Sequence, residues 1–122
     1  MYKRQPANSV VQWRVVNERI VQHSDDKGAN YATQYALDEK SAVTAGSSPT
    51  PLVAWLVGRG GLVIVTIDGR TWRRIAFPEP ADLISVLAID ARTATVTTAD
   101  RRSFTTSDGG ASWTPVKAPV KN

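Results

Sequence analysis

The stretch TSDGGASW at residues 106–113 occurs twice more in altered form, as TIDGRTW at residues 66–72 and SDDKGANY at residues 24–31. Each copy has a hydroxyl residue, a spacer, an aspartate, a glycine-bearing turn, a small polar residue and an aromatic residue. The aromatic residues are 41 and 41 positions apart, and the aspartates are 42 and 40 apart. Three copies in phase indicate a repeat of about 41 residues, and a repeat of this length decides the class of fold.

Each copy has the composition of a tight turn that stabilises itself. An aspartate can accept backbone N–H bonds from the turn that it begins, a hydroxyl adds another local bond, and glycine supplies a positive φ. The aromatic residue is expected to return from the turn and cover the base of the hairpin. A structural role is therefore predicted for Ser24, Asp26, Gly28, Tyr31, Thr66, Asp68, Gly69, Trp72, Thr106, Asp108, Gly110 and Trp113.

The sequence upstream of the second and third copies predicts hairpins. Residues 53–57 and 62–67 are rich in β-branched and aliphatic side chains, and they flank the turn signal Gly58-Arg59-Gly60-Gly61. Residues 93–98 and 103–106 flank a polar turn one repeat later. Each hairpin ends at one of the aspartate-containing stretches, so the two signals belong to one repeating unit.

Two further strands complete the predicted unit. Leu83–Ile89 is almost continuously apolar, which favours a buried inner strand. Short outer strands are predicted at 71–76 and 112–117, each soon followed by a proline. Four short strands in a repeat of about 41 residues are typical of a blade of a β-propeller, so we predict an all-β fold of antiparallel propeller blades.

The repeat divides the chain into three predicted blades within one propeller-like domain. Residues 11–37 form an incomplete first blade without an inner strand, residues 38–78 a second and residues 79–119 a third, while residues 1–10 are a disordered or artefactual N-terminus. Propellers usually close with four to eight blades, so the chain is predicted to be a fragment of a larger propeller. Naked apolar outer faces are expected to be covered by missing blades or by self-association.

The turn motif resembles the Asp-box, or bacterial neuraminidase, repeat. The flanking text WLVGRGG at 55–61, followed by TIDGRTW at 66–72, is similar to the propeller family of the photosystem II assembly and stability factor, over about residues 11–117. That resemblance implies a non-catalytic protein-binding or scaffold module, in bacterial relatives as well, and favours an extracytoplasmic or periplasmic location. Similar repeats also end bacterial chains that begin with an anti-sigma zinc-finger segment, which implies a sensory domain of a membrane-bound regulator as an alternative.

Composition excludes only a few kinds of site and of protein class. The chain has 122 residues, a net charge of +4 and no cysteine, so disulfides and thiolate metal sites are excluded. No apolar run approaches the roughly 20 residues of a membrane span, and the first residues carry no apolar segment of a signal peptide. The basic residues are scattered, so nucleic acid is an unlikely partner and a protein partner is expected.

No catalytic, cofactor or metal site is predicted. His23 is followed by Ser24, but successive strand residues point to opposite faces, so the two cannot share a proton. Asp25-Asp26-Lys27-Gly28 lacks the ligand pattern of a calcium loop. Sialidases carry similar boxes together with an arginine cluster and a tyrosine nucleophile, so a fragment of a glycan-processing enzyme with its catalytic residues in missing blades stays as an alternative.

Arginines in the strand-connecting turns are the candidate partner-binding residues. Arg59 lies in one such turn, and Arg101 and Arg102 occupy the equivalent turn one blade later. Turns at equivalent positions of neighbouring blades emerge on the same side of a propeller, so a basic strip is predicted there. Arginine suits this role because its planar guanidinium pairs bidentately with carboxylates.

Overall fold

A computed structural model describes residues 11–116, so the predictions for residues 1–10 and for the end of the third blade lie outside the described residues. The described chain consists of strands and a single 3-10 turn, which confirms the predicted all-β class. The strands are β1 Gln12–Val16, β2 Ile20–Ser24, β3 Ala32–Ala36, β4 Val43–Thr50, β5 Val53–Gly58, β6 Val63–Thr66, β7 Trp72–Arg74, β8 Leu83–Ala88, β9 Ala94–Thr98, β10 Ser103–Thr106 and β11 Thr114–Val116.

The strands form three antiparallel sheets that follow one another along the chain. Sheet 1 contains β1, β2 and β3 in that order, sheet 2 contains β4 to β7 in order, and sheet 3 contains β8 to β11 in order. Within each sheet every strand pairs with the strand before or after it in sequence, so each sheet is a simple meander of hairpins. The sheets are stacked, with sheet 2 between the other two.

Burial of the central hairpin follows from this stacking. All residues of Val53–Gly58 and of Val63–Thr66 are buried, on both faces of sheet 2. The hairpin is apolar on both faces because a sheet covered on both sides has no need of polar residues. A first core lies between sheets 1 and 2, with Trp13, Val21, Leu56, Ile64 and Trp72; a second lies between sheets 2 and 3, with Trp55, Val65, Leu83, Val96 and Phe104.

The prediction of a buried strand at Leu83–Ile89 is wrong for half of its side chains. The strand ends at Ala88, and Ile84 and Leu87 are 51% and 64% exposed. Leu83, Val86 and Ala88 face sheet 2 and are buried. Within residues 11–116 sheet 3 is covered on one face only, so β8 alternates between buried and exposed positions although its sequence is apolar throughout.

The turn at Gly58–Gly61 differs in detail from the predicted hairpin loop. Gly58 still belongs to β5, and Arg59–Gly61 forms the 3-10 turn, with Gly60 and Gly61 at φ values of 70° and 81°. Gly58 has an extended backbone, and its glycine is needed for space: a Cβ at this position would collide with the carbonyl group of Ala42. A sequence pattern identifies the turn but not this close approach of a second segment.

The expectation of naked apolar outer faces is also wrong at the centre of each outer sheet. The side of sheet 1 that faces away from sheet 2 carries Gln12, Arg14 and Gln22, which form part of a hydrogen-bonded surface. The outward side of sheet 3 carries threonine and serine.

No helix within residues 11–116 is long and apolar enough to cross a membrane.

Candidate functional site

The aspartate turn at 106–113 is organised around a single carboxylate. Oδ1 of Asp108 accepts the backbone N–H of Ser112 at 3.0 Å and the Thr106 hydroxyl at 2.7 Å, while Oδ2 accepts the Ser112 hydroxyl at 2.6 Å. The buried Thr106 hydroxyl in turn accepts the backbone N–H of Gly110 at 2.8 Å. These bonds satisfy backbone groups that have no strand partner, because the chain reverses direction here.

The other two aspartate turns use the same scheme with local differences. Oδ1 of Asp26 accepts the Ser24 hydroxyl at 2.6 Å and the N–H of Asn30 at 2.9 Å, as in the third turn. In the turn that is one residue shorter, Oδ1 of Asp68 accepts the N–H groups of Arg70 and Thr71, at 2.9 and 2.8 Å. The shorter loop brings two successive N–H groups to one oxygen.

The hydrogen bonds hold the pKa of each turn aspartate at about 2, below the ordinary value of 3.8. Hydrogen bonds to the ionised form stabilise it, and all three carboxyl groups are near the surface. Such groups are fully ionised at neutral pH and are not suited to act as general acids. The largest contribution is a single bond in each turn: from the Ser24 hydroxyl to Asp26, from the Thr71 N–H to Asp68 and from the Ser112 hydroxyl to Asp108.

The aromatic residues of the second and third turns connect sheets rather than only covering their own hairpins. Trp72 donates its indole N–H to Oε1 of Gln34 in sheet 1 at 2.8 Å, and Gln34 donates back to the carbonyl of Gly69 at 2.8 Å. Trp113 donates to the carbonyl of Ala76, beyond β7 of sheet 2, at 3.2 Å. The predicted covering role therefore misses the principal contact, which is with the preceding sheet.

The first turn has a different aromatic contact. The Tyr31 hydroxyl lies 3.0 Å from Oε1 of Gln12 in its own sheet, and the guanidinium carbon of Arg14 lies 3.9 Å from the centre of the Tyr31 ring. Tyr31 is thus held between a glutamine and a cation–π contact.

The strand-connecting turns of the three sheets lie at one end of the stack, opposite the aspartate turns. The carbonyl of Glu18, in the β1–β2 turn, accepts the N–H of Val43 at 2.8 Å. Asp82 joins the next two turns, because its Oδ1 accepts the N–H of Gly60 at 2.9 Å and its carbonyl accepts the N–H of Ala99 at 2.8 Å. We call this end, with turns 17–19, 59–61 and 99–102, the connecting-turn end.

Arg102 is not available as a free cation at this end. Its guanidinium pairs bidentately with Glu79, at 2.7 and 2.8 Å, and its Nε donates to Asp100 at 3.0 Å. The hydrogen bond from Arg102 lowers the pKa of Glu79. Arg59 and Arg101 are exposed, and no carboxylate within residues 11–116 lies within ion-pair distance of either. The predicted strip therefore contains two free arginines and one that is neutralised.

His23 and Ser24 have separate environments. The His23 ring lies 5.3 Å from the Trp13 ring, and burial is the main cause that lowers its pKa. The Ser24 hydroxyl donates to Asp26 and accepts the N–H of Gly28, so it belongs to the turn. No group of three potential metal ligands occurs in the part of the chain that the structure describes.

Gln34 and Asp82 are functionally placed residues that sequence reasoning missed. Gln34 makes two hydrogen bonds from sheet 1 to the aspartate turn and tryptophan of sheet 2. Asp82, just before sheet 3, makes one bond to the connecting turn of sheet 2 and one to the connecting turn of sheet 3. Gln34 lies in a polar outer strand and Asp82 in a loop before an apolar strand, so neither stands out from its neighbours. Their only sequence signal is a polar residue near the start or middle of a strand, which is too common to identify a joint between sheets.

Comparison with known proteins supports the fold. No family model and no curated protein matches the chain. Two solved structures are similar: "YCF48 bound to D1 peptide", with a TM-score of 0.77 and 18% identity, and "YCF48 from Cyanidioschyzon merolae", with a TM-score of 0.74 and 21% identity. Each alignment covers 89% of this chain and 36% of the other, so the chain spans about a third of their length. The three sheets are blades of a β-propeller, as predicted from the repeat.

Proposed function

We propose that these blades form a non-catalytic module that binds a protein partner or supports an assembly. The observation that supports this most directly is the role of the turn aspartates. Each carboxylate accepts two or more hydrogen bonds from its own turn, which leaves it ionised and committed to local structure. On this proposal the aspartates serve folding and the exposed turns carry binding.

The connecting-turn end is the proposed contact surface. Arg59 and Arg101 project from equivalent turns of neighbouring blades, and Asp82 holds these two turns together. The backbone of Arg101 has a positive φ of 71°, and Gly60 has one of 70°, so both turns are tight and their arginines are presented on short, well-defined loops. A tight turn costs little entropy on binding, because it is already ordered before the partner arrives.

An acidic segment of a protein is the proposed partner. A guanidinium without a carboxylate partner among residues 11–116 can pair with one from another molecule, and two such groups on adjacent turns would favour an extended peptide over a single small anion. One of the two similar solved structures is of YCF48 bound to a D1 peptide. A peptide-like ligand therefore suits this architecture, although the sequence identity of 18% supports the fold alone.

A charge-reversal experiment tests the proposed surface. The full chain carrying Arg59→Glu and Arg101→Glu together is used to capture partners from the native host, and we expect partner recovery to fall at least tenfold while the melting temperature is unchanged. Arg92→Glu is the matched control, because Arg92 is also exposed but lies in the β8–β9 turn at the opposite end. Undiminished capture by the double variant, or an equal loss with the control, would refute the proposed surface.

A hydrolytic function would be detected by a separate assay of enzymatic turnover. If the module is part of a glycan-processing enzyme, the longest native form of the protein should turn over sialosides or related glycosides. Turnover that is lost on mutation of an active-site residue would contradict the non-catalytic proposal, whether or not the arginines bind a partner. The two measurements are independent, because the catalytic residues of such an enzyme are expected in missing blades and not at Arg59 or Arg101.

A further inference from the structure

The outer faces of the stack differ in chemistry from the faces inside it. Strand register shows which positions of the three sheets are equivalent. In each sheet we take the cross-strand pair whose second residue lies three positions before the turn aspartate. These pairs are Trp13 with His23, Trp55 with Val65, and Thr95 with Thr105. We call the side of a sheet toward the preceding sheet its upstream face, and the other side its downstream face. The upstream face of sheet 1 and the downstream face of sheet 3 are the outer faces.

On the upstream face the contrast is complete at three central positions. Sheets 2 and 3 have Ala54, Leu56 and Ile64, and Ala94, Val96 and Phe104, all of them buried. Sheet 1 has Gln12, Arg14 and Gln22 at the same positions.

These polar residues belong to a connected surface. Arg14 donates to Oε1 of Gln22 at 2.7 Å, Gln22 donates to the Thr33 hydroxyl at 3.3 Å, and Arg14 lies over the Tyr31 ring. The network lies on the face of sheet 1 and crosses all three of its strands. The bonds of Arg14 and Gln22 within sheet 1 satisfy part of the hydrogen-bonding capacity of this face.

The downstream face shows the same contrast at four positions. In sheet 2 it consists of Trp55, Val57, Val63 and Val65, all fully buried against sheet 3. In sheet 3 the equivalent residues are hydroxylated, and they form two cross-strand pairs, with oxygen–oxygen distances of 2.9 and 3.3 Å: Thr95 with Thr105, and Thr97 with Ser103.

Covering the downstream face of sheet 3 with an apolar blade would be unfavourable. Four hydroxyl groups would lose contact with water, and their cross-strand pairs replace only part of the lost hydrogen bonding. Within residues 11–116 the exposed large apolar side chains of sheet 3 lie on its two edge strands or just beside them: Ile84 and Leu87 on β8, Ile89 directly after β8 and Val116 on β11. The two central strands of this face carry the hydroxyl pairs.

We infer that the three-blade unit is capped on both outer faces and folds as a stable monomer, without the apolar surface of a further blade. Repeat arrays generally need terminal units with a polar outer face for solubility, because each internal unit covers its neighbours. Here that requirement is met by Gln12, Arg14 and Gln22 at one end and by the hydroxyl pairs at the other.

The mass of the 122-residue chain in solution is the first test. Sedimentation equilibrium over a hundredfold range of concentration should give the monomer mass of 13.2 kDa throughout, and thermal unfolding should be a single cooperative transition. A dimer or larger species that dissociates on dilution would overturn the inference. So would a chain that melts without cooperativity alone but cooperatively when joined to further blades.

A face-conversion variant tests whether the hydroxyls are the cause. Thr95→Val, Thr97→Val, Ser103→Val and Thr105→Val together give sheet 3 an apolar downstream face like that of sheet 2. We expect this variant to associate at concentrations where the parent chain is a monomer. The matched control is Thr95→Ser, Thr97→Ser and Thr105→Ser, which keeps every hydroxyl and should stay monomeric. Near-ultraviolet circular dichroism of the tryptophans reports folding in both, and a folded valine variant that stays monomeric would also overturn the inference.

Discussion

The indole rings of Trp55 and Trp113 meet edge to face, with centroids 6.3 Å apart and planes at 86°. Trp13 and Trp72 have the same relation one sheet earlier, at 6.4 Å and 87°. In both pairs the first tryptophan lies in the strand that leads into the connecting turn, β1 or β5, and the second follows the aspartate turn of the next sheet. Each repeat therefore supplies a tryptophan contact that joins adjacent sheets, in addition to the sheet itself. We call this contact the joint between sheets.

Loss of a joint tryptophan should weaken the whole stack. Trp72 is buried, packs against Trp13 and donates to Gln34, so Trp72→Ala should lower the free energy of unfolding by about 3–5 kcal/mol. Trp113 is only half-buried, so Trp113→Ala should cost less. Urea unfolding followed by circular dichroism measures both. An equal or larger loss for Trp113 would contradict the importance that we give to burial in this joint.

Two glycines with similar backbones should differ greatly in their tolerance of alanine. Gly110 has a φ of 92°, and a Cβ there would lie 2.5 Å from Cγ2 of Ile75 in the preceding sheet's segment. Gly60 has a φ of 70° but nothing within 4 Å of a Cβ. Both variants carry the cost of a positive φ, of the order of 1 kcal/mol, and Gly110→Ala carries a clash in addition. We expect the larger fall in melting temperature for Gly110→Ala, and equal falls would refute the clash.

The sequence predicts most of the fold because the repeat is defined by residues that lie close together in the chain. Strand hairpins and aspartate turns depend on residues close together in sequence, such as Thr106, Asp108 and Gly110, whose bonds are all made within five positions. The strands β5, β9 and β10 accordingly lie within two residues of their predicted bounds. Local patterns of this kind can be recognised in the sequence without knowing which sheet packs beside them.

The contacts between sheets could not be predicted in the same way. The exposed position of Leu87 depends on which faces of sheet 3 are covered, and the neutralised state of Arg102 depends on Glu79, which is 23 positions away. Sequence reasoning placed Arg102 correctly in its turn but could not see this partner. Long-range pairs of charged residues have no periodic signal in the sequence. The positions of the candidate arginines could therefore be predicted, but not which of them is neutralised by an ion pair.

Acid should destabilise the protein through the turn aspartates. Their pKa values in the folded state are about 2, below the ordinary value of 3.8, so ionisation favours folding above pH 3.8 and this contribution is lost as the pH falls toward 2. We expect the melting temperature to fall across that interval, and Asp108→Asn to lower stability at pH 7 but to reduce the further loss at low pH. The same slope in Asp108→Asn as in the parent chain would show that this carboxylate is not a source of the acid sensitivity.

His23 should add a second pH dependence in a separate range. Its ring is held beside Trp13 between sheets 1 and 2, and burial lowers its pKa below 6.5; Asp25 opposes this shift and Arg70 adds to it. The neutral form is therefore favoured in the folded protein, so stability from this residue is present above pH 6.5 and is lost as the pH falls below that value.

The control for this second effect is His23→Val, because Val65 occupies the equivalent position of sheet 2. Melting temperatures measured from pH 8 to pH 5 should decline in the parent chain and stay level in His23→Val, while the decline toward pH 2 should persist in both. The variant tests the contribution of this side chain directly, since valine can pack against Trp13 and does not titrate. An unchanged decline in His23→Val would assign the effect to another group.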